Sequence, residues 1–430
     1  MAVWWATEAV PLAATALLPL IAFPLLGIAP PRALAAAYGD PLIFLFLGGF
    51  LVALAIQRAG LHRRLALAVT TAAGTGPGAL IGGFMAATAF LSMWLSNTAT
   101  AVLMLPIARA VILVVEREVP APAAAGFAKA LLLAIAYAAS IGGIATLIGT
   151  PPNALLASFL ARSRGIELGF TAWLAVGLPL AAILLAATWL LLTRVVFRLP
   201  SGALAPIAAA LARERHAHGP IRPAERRIAV IVAATALAWL ARPWLEPVLP
   251  GLDDTVIAIT AGLALFVLPA GTGPGERLLD WASARELPWG VLLLFGGGLA
   301  LAQAIAGSGL ADWLGRQLGA LHGLPPLLVV LVVTALVVFL TELTSNTATA
   351  ATFLPLAAAL ASALGVEAWL LAMPVAVAAS CAFMMPVATP PNAIVYASGH
   401  LRIADMARAG LLLNLVAIVV ISAVAALSAG

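Results

Sequence analysis

The chain carries the same six-residue polar motif twice, within sequence that is otherwise apolar. Residues 96–101 and residues 345–350 both read SNTATA, and a proline stands ten residues after each serine. Hydroxyl and carbonyl oxygens suit a hard monovalent cation such as sodium, and freed N–H groups suit an anion. The motif could therefore bind a cation, an anion or both, and its recurrence indicates an internal duplication.

A second repeated motif, TPPNA, begins at Thr150 and again at Thr389. Its prolines lack a backbone N–H and push the preceding threonine out of helical geometry, so each copy must interrupt a helix. A half-helix that starts there presents unpaired N–H groups and a partial positive charge, which favour an anion. Gly149 lets the chain unwind, and Asn153 and Asn392 can cap the freed backbone groups.

The surroundings of all four motifs lack basic side chains. No Lys, Arg or His occurs in residues 78–107, 130–161 or 323–398. Because a doubly charged anion leaves water at very high cost, co-bound cations are the natural compensation in such a neutral place. Ser92 and Thr341, four residues before each motif serine, add a hydroxyl to each cluster. Glu342 is the only acid beside a motif, and its position fits either a cation-affinity role or a structural one.

The composition places these motifs inside a membrane. The chain is 63% hydrophobic and 9% charged, too little polar surface to cover a soluble globule of 430 residues. Apolar runs of about twenty residues recur from end to end without the alternation of a barrel, which predicts an all-α polytopic membrane protein. The +5 formal charge forms no basic patch with interleaved aromatics, which argues against a nucleic-acid partner. The single cysteine, Cys381, fits a small core residue.

The longest polar stretch lies between the two copies. It predicts a first repeat at residues 1–199, a basic linker at 200–227 and a second repeat at 228–430. If the linker is cytoplasmic and the halves are inverted, most Lys and Arg fall on the inside, as the positive-inside bias requires. Two inverted repeats would form one composite site at their interface.

An intramembrane enzyme would need a nucleophile with a base, paired acids or metal ligands at membrane depth. The five histidines lie near segment ends, and no His, Asp and Glu cluster shares a helix face. The sequence therefore predicts no enzyme activity. A channel is a further class, which continuous ion current without saturation would distinguish from a carrier.

The two Ser-Asn-Thr motifs and the two Pro-Pro-Asn breaks resemble those of the divalent anion sodium symporter family, the bacterial and eukaryotic di- and tricarboxylate transporters. Further similarity lies in residues 5–11, 47–49 and 91–95. The resemblance implies two re-entrant helical hairpins, two broken transmembrane helices, and a scaffold domain beside an elevator-type transport domain. It also implies a homodimer, multi-pass in the bacterial inner membrane. Family members have a helix before the stretch at 5–11, so we expect the first repeat to be truncated at its N-terminus.

The resemblance also assigns roles to individual residues. It implies a first sodium site at Ser92, Ser96, Asn97 and Gly149, and a second at Thr341, Thr344, Asn346 and Ala388. It implies that the substrate carboxylates contact Ser96, Asn97, Thr98, Thr150, Ser345, Asn346, Thr347, Thr389 and Pro390. The implied function is import of a C4-dicarboxylate such as succinate, fumarate or malate, with sodium as the coupling ion and no other cofactor. A sodium-independent dicarboxylate exchanger and a citrate or sulfate transporter are the alternatives.

Overall fold

The computed structural model describes residues 1–428 except 8, 75, 201, 203, 204, 272, 274, 311, 312 and 314–323. Every named element in this part of the chain is a helix. The first half contains α1 Ala2–Thr7, α2 Leu12–Thr15, α3 Pro19–Leu25, α4 Pro31–Ala37, α5 Pro41–Ala59, α6 Leu61–Ala72, α7 Pro77–Ser92, α8 Asn97–Glu118, α9 Ala121–Ile144, α10 Pro151–Arg164 and α11 Phe170–Leu190, which continues as a π-helical segment Leu191–Val196.

The second half follows a connecting helix. The connecting helix is α12 Ala205–Ala217. The second half contains α13 Pro223–Leu245, α14 Asp254–Val267, α15 Trp281–Ala284, α16 Trp289–Gly307, α17 Pro326–Thr341, α18 Asn346–Leu364, α19 Ala368–Ala378, α20 Pro390–Tyr396 and α21 Ile403–Ser428. Within the described ranges, seven helices are long and apolar enough to cross a membrane. The predicted all-α polytopic architecture is confirmed.

Proline starts many of these helices, because its missing N–H would be unpaired in the first turn anyway and its φ is already helical. The helices with proline in their first two positions include α4, α5, α7, α9, α10, α13, α17 and α20. Gly60, with a φ of +79°, ends α5 in the left-handed conformation that favours glycine. These local signals set where each apolar segment begins and ends.

Both repeated motifs interrupt helical structure where the sequence predicts. The SNTATA copies open α8 and α18, each after a short turn that follows α7 or α17. The TPPNA copies open α10 and α20, after non-helical segments at residues 145–150 and 379–389. Each half therefore contains one helical hairpin and one broken helix, in the same order.

The helix α9 forms the centre of the packing, with 94% of its apolar window buried. It packs against α7, α8, α11 and the short helix α20 of the other half. The hairpin helix α18 packs in turn against α10. The hairpin of each half thus contacts the broken helix of the other half, and the four motifs lie in one region between the halves.

The segment between the halves is attached to the first half by Arg64. Its guanidinium donates to the carbonyl oxygens of Gly219 and Pro220 at 3.0 Å each, and to the Glu225 carboxylate at 3.0 Å. Glu225 is fully buried, so the ion pair and its hydrogen bonds satisfy a carboxylate that would otherwise be costly there. The predicted linker thus contains a helix, α12, and a fixed turn.

Gly410 of α21 lies directly against the backbone of the non-helical segment before α20, and this close contact leads to a prediction. A Cβ at Gly410 would lie 2.3 Å from the carbonyl oxygen of Phe383, in the non-helical segment before α20. Because that neighbour is backbone, Gly410→Ala must displace the segment, and we expect it to destabilise the fold by about 1–3 kcal/mol. Thermal unfolding in detergent measures this. Gly298→Ala is the matched control, since its Cβ would meet Leu155 at an ordinary 3.4 Å; equal melting temperatures for the two variants would contradict the prediction.

Candidate functional site

The first hairpin tip gathers three oxygen atoms from separate elements. The Ser92 hydroxyl, fully buried at the end of α7, lies 2.7 Å from Asn97 Oδ1 and 2.6 Å from the Ala139 carbonyl oxygen. A hydroxyl has one proton, so it can donate to only one of these two acceptors at a time. Ser92 Oγ, Asn97 Oδ1 and the Ala139 carbonyl form what we call the first oxygen cluster.

The second hairpin tip repeats this geometry atom for atom. The buried Thr341 hydroxyl lies 2.9 Å from Asn346 Oδ1 and 2.9 Å from the Ala379 carbonyl oxygen. Thr341 Oγ1, Asn346 Oδ1 and the Ala379 carbonyl form the second oxygen cluster. Each cluster has more acceptors than protons, and such a set of neutral oxygens attracts a hard cation.

Glycines let the first broken helix approach Asn97. A Cβ at Gly143 would lie 2.7 Å from Asn97 Oδ1 and 3.0 Å from the carbonyl oxygen of Gly149. A side chain at either glycine would therefore separate the hairpin tip from the helix break. The structure brings Ser92, Asn97 and Gly149 together, three of the four residues that the resemblance implies for the first sodium site.

The remaining predicted residues differ in their surroundings. Ser96 is exposed, and its hydroxyl accepts a hydrogen bond from the backbone N–H of Ala99 at 3.3 Å, so it caps α8. Thr344 Oγ1 lies 2.7 Å from the Thr349 hydroxyl, beside the second cluster. Ala388 is half-buried in the second break, where its N–H donates to the Met385 carbonyl at 3.2 Å.

The hydroxyls predicted to meet substrate lie at the hairpin tips and at the starts of the half-helices. Thr98 is exposed, and Ser345 and Thr347 are partly exposed. Thr150 and Thr389 are buried at the N-caps of α10 and α20, and Pro390 beside Thr389 is exposed. The hairpin tips thus contribute accessible hydroxyls and the N–H groups of the first turns of α8 and α18, whereas the half-helices α10 and α20 begin with two prolines, which have no N–H.

The asparagines of the TPPNA motifs hold the broken helices together. Asn153 Nδ2 donates to the carbonyl oxygens of Gly143, Ile144 and Thr146 at 3.2, 3.2 and 2.8 Å. Asn392 Nδ2 donates to the carbonyl oxygens of Ala382 and Met385 at 3.2 and 3.0 Å. Both asparagines are fully buried. The predicted capping of freed backbone groups is therefore present in both halves, with the carbonyls of the unwound segments as the partners.

Sequence reasoning missed several contributors to this site. The carbonyls of Ala139 and Ala379 complete the two oxygen clusters, and the Thr146 hydroxyl donates to the Met93 carbonyl at 2.6 Å. A signal for the two carbonyls was available, because the tripeptide Ala-Ala-Ser recurs at residues 138–140 and 378–380. Every residue has a backbone carbonyl, so only this recurrence could have indicated these two.

The chemistry of the site is that of oxygen ligands and amide dipoles. Among the described residues there is no group of three or more His, Cys, Asp and Glu side chains that could hold a metal ion. The donor set therefore suits a hard monovalent cation, with hydroxyl and N–H groups beside it for a carboxylate or another oxyanion.

Comparisons with known proteins show which family this chain is similar to. The family model described as the sodium:sulfate symporter transmembrane region matches residues 1–428. The sodium-dependent dicarboxylate transporter SdcS of Staphylococcus saprophyticus is 43% identical, over 98% of this chain and 83% of its own length. The protein of the same name in Staphylococcus aureus strain USA300 is 44% identical, over 98% of this chain and 82% of its own length.

A solved structure shows the same overall fold. The crystal structure of the Alcanivorax borkumensis YdaH transporter, reported to have an unusual topology, superposes with a TM-score of 0.60 at 18% identity, covering 92% of this chain and 86% of that one. With the whole-chain family match and the two close relatives, the assignment follows: the chain is a multi-pass plasma-membrane protein that belongs to the sodium:sulfate symporter family, the divalent anion sodium symporters.

Proposed function

We propose that this chain is a secondary active transporter that imports C4-dicarboxylates such as succinate, fumarate or malate, coupled to sodium. The observation that carries the proposal is the pair of matching oxygen clusters, one at each hairpin tip, in a region without basic side chains. The names of the two staphylococcal relatives support both the ion and the substrate class. Binding and translocation, without covalent chemistry, make the protein a carrier and not an enzyme.

In this proposal one sodium ion binds at each cluster. The first uses Ser92, Ser96, Asn97 and the Gly149 carbonyl, and the second uses Thr341, Thr344, Asn346 and the Ala388 carbonyl. The dianion then lies between the tips, where its carboxylates accept hydrogen bonds from hydroxyl and N–H groups of Ser96, Asn97, Thr98, Thr150, Ser345, Asn346, Thr347 and Thr389. Its carboxylates also contact the ring of Pro390, which has no N–H to donate. Two bound cations offset the charge of a dianion, which amide dipoles alone would not.

The proposed mechanism moves the site across the membrane as a unit. Residues 1–199 and 228–430 form two inverted repeats, and residues 200–227 are a cytoplasmic linker. The hairpins and broken helices form the transport domain, which moves against a scaffold in an elevator-like way within a homodimer. The crosswise packing of α18 on α10 and of α20 on α8 and α9 supports a transport domain that moves as one body.

Uptake of labelled succinate into proteoliposomes tests the proposal. With sodium outside we expect saturable accumulation, and with choline in place of sodium we expect uptake to fall to the background of empty liposomes. Uptake that persists unchanged in choline, and that requires dicarboxylate inside, would contradict sodium coupling and support the exchanger alternative. Competition by unlabelled citrate and sulfate tests the substrate class. Sulfate is included because the matching family model is described as a sodium:sulfate symporter.

A further inference from the structure

Glu342 is a buried acid that the proposed coordination does not use. It follows Thr341 of the second oxygen cluster directly in the chain and is only 4% exposed. Its carboxylate accepts hydrogen bonds from the backbone N–H groups of Phe383, Met384 and Met385 at 2.7, 2.9 and 3.1 Å, and from Asn414 Nδ2 at 2.8 Å. In the part of the chain that the structure describes, no basic side chain forms an ion pair with it.

The partners of Glu342 match an ionised carboxylate. Every one of them is an N–H donor, so a proton on the carboxyl group would have no acceptor and would face other hydrogens. The bonds also occupy both carboxylate oxygens, which leaves little capacity to coordinate an ion directly. Glu342 therefore contributes a fixed negative charge beside the second cluster without being one of its ligands.

The equivalent position in the first half carries no charge. The position equivalent to Glu342, at the same spacing before the motif, is Met93. There the hairpin tip is held to the broken helix by a neutral hydrogen bond, from the Thr146 hydroxyl to the Met93 carbonyl at 2.6 Å. The two oxygen clusters therefore have the same ligand geometry but different electrostatic surroundings.

We propose that the charge of Glu342 makes the second oxygen cluster the tighter cation site, so that sodium occupies it before the first. The inference rests on the proposed function, since it assigns an order to the two sodium sites. The charge and the cluster belong to neighbouring residues, and both lie in a buried place where an attraction between charges is weakly screened. Glu342 is thus a positioning residue, which also fixes the Phe383–Met385 segment against the hairpin tip.

Substitutions that separate charge from hydrogen bonding test this inference. Glu342→Gln keeps the length and one acceptor oxygen but removes the charge, whereas Glu342→Asp keeps the charge but shortens the side chain. The measurement is the sodium concentration that half-saturates thermal stabilisation of the purified full chain, without substrate and with choline holding ionic strength constant. We expect Glu342→Gln to raise this concentration about tenfold or more, and Glu342→Asp to raise it by less than about threefold.

The matched control is Glu367→Gln, which removes the same charge from an exposed position at the start of α19. We expect it to leave the sodium dependence unchanged. A Glu342→Gln protein with the sodium dependence of the unmodified chain would overturn the inference. An equal rise of the half-saturating sodium concentration in Glu342→Asp would also overturn the inference, because the length of the side chain and not its charge would then set the affinity. If Glu342→Gln does not fold, Glu342→Asp can still overturn the inference, because a rise of about tenfold or more with the charge kept would show that the charge does not set the affinity.

Failure of this inference is distinguishable from failure of the proposed function. If sodium does not stabilise the unmodified chain, the two clusters are not sodium sites and the proposed function is wrong. If sodium stabilises the unmodified chain and the Glu342→Gln protein at the same concentration, sodium coupling stands and only the inequality of the sites is wrong.

Discussion

Replacing Asn97 or Asn346 by alanine is expected to abolish sodium-coupled dicarboxylate uptake while the protein stays folded. Each asparagine contributes Oδ1 to one oxygen cluster, at 2.7 Å from Ser92 Oγ or 2.9 Å from Thr341 Oγ1. A polar contact to a charged group contributes about 1.5–3 kcal/mol, so each change should weaken its sodium site on the order of 10- to 100-fold. Because uptake requires both ions together with the dianion, either single change should suffice.

The measurements are labelled-succinate uptake in proteoliposomes and size-exclusion elution in detergent. Ser308→Ala is the control, because that exposed hydroxyl lies at the end of α16 and, among the described residues, donates to the Ile305 carbonyl of its own helix. We expect it to transport normally. Normal uptake by both asparagine variants would show that these amides are not part of the coupling site.

Replacing Asn153 or Asn392 by alanine is expected to affect stability more than any change at the hairpin tips. Each fully buried amide donates to two or three carbonyl oxygens beside a break. The Ile144, Thr146 and Met385 carbonyls also accept a second hydrogen bond, so among the described residues the Gly143 and Ala382 carbonyls would be left without a donor. Leaving a buried acceptor without its donor costs about 1–3 kcal/mol, so each variant should lose about 2–4 kcal/mol of stability. A lower unfolding temperature in detergent reports this loss.

A second pair of measurements separates the lost hydrogen bonds from lost volume. Asn153→Asp keeps the size but replaces the donor by a carboxylate that repels the carbonyls, so it should destabilise at least as much as Asn153→Ala. Gln57→Ala removes a side-chain amide without a hydrogen bond to the described residues, and should leave the unfolding temperature nearly unchanged. An Asn153→Asp protein as stable as the unmodified chain would rule out the amide as a support of the broken helix.

Much of the fold could be read from local chemistry. Proline at Thr150-Pro151 and Thr389-Pro390 excludes a continuous helix whatever surrounds it, and the breaks are found there. The apolar composition leaves helices as the way to satisfy backbone groups in a membrane, and every named element in the described part of the chain is a helix. The hairpin turns end at Ser96 and Ser345, which occupy N-cap positions that favour serine.

The contacts that complete the site could not be read in this way. Ala139 and Ala379 contribute carbonyl oxygens, which every residue possesses, and the Ser92 and Thr341 hydroxyls reach them across 47 and 38 positions of the chain. For the same reason the sequence did not decide whether Glu342 acts in cation affinity or in structure. Its partners are backbone N–H groups of residues 383–385, which no side-chain pattern distinguishes.

The sequence by itself determined that the chain is duplicated, spans a membrane with helices, and places hydroxyls and amides in a neutral region. These properties depend on residue type and spacing, which folding does not alter. Only the tertiary structure decided which carbonyls complete each cluster, how the hairpin of one half meets the broken helix of the other, and which N–H groups bond to Glu342 beside the second cluster. Such properties depend on which backbone groups are left unpaired and brought together, and packing alone decides that.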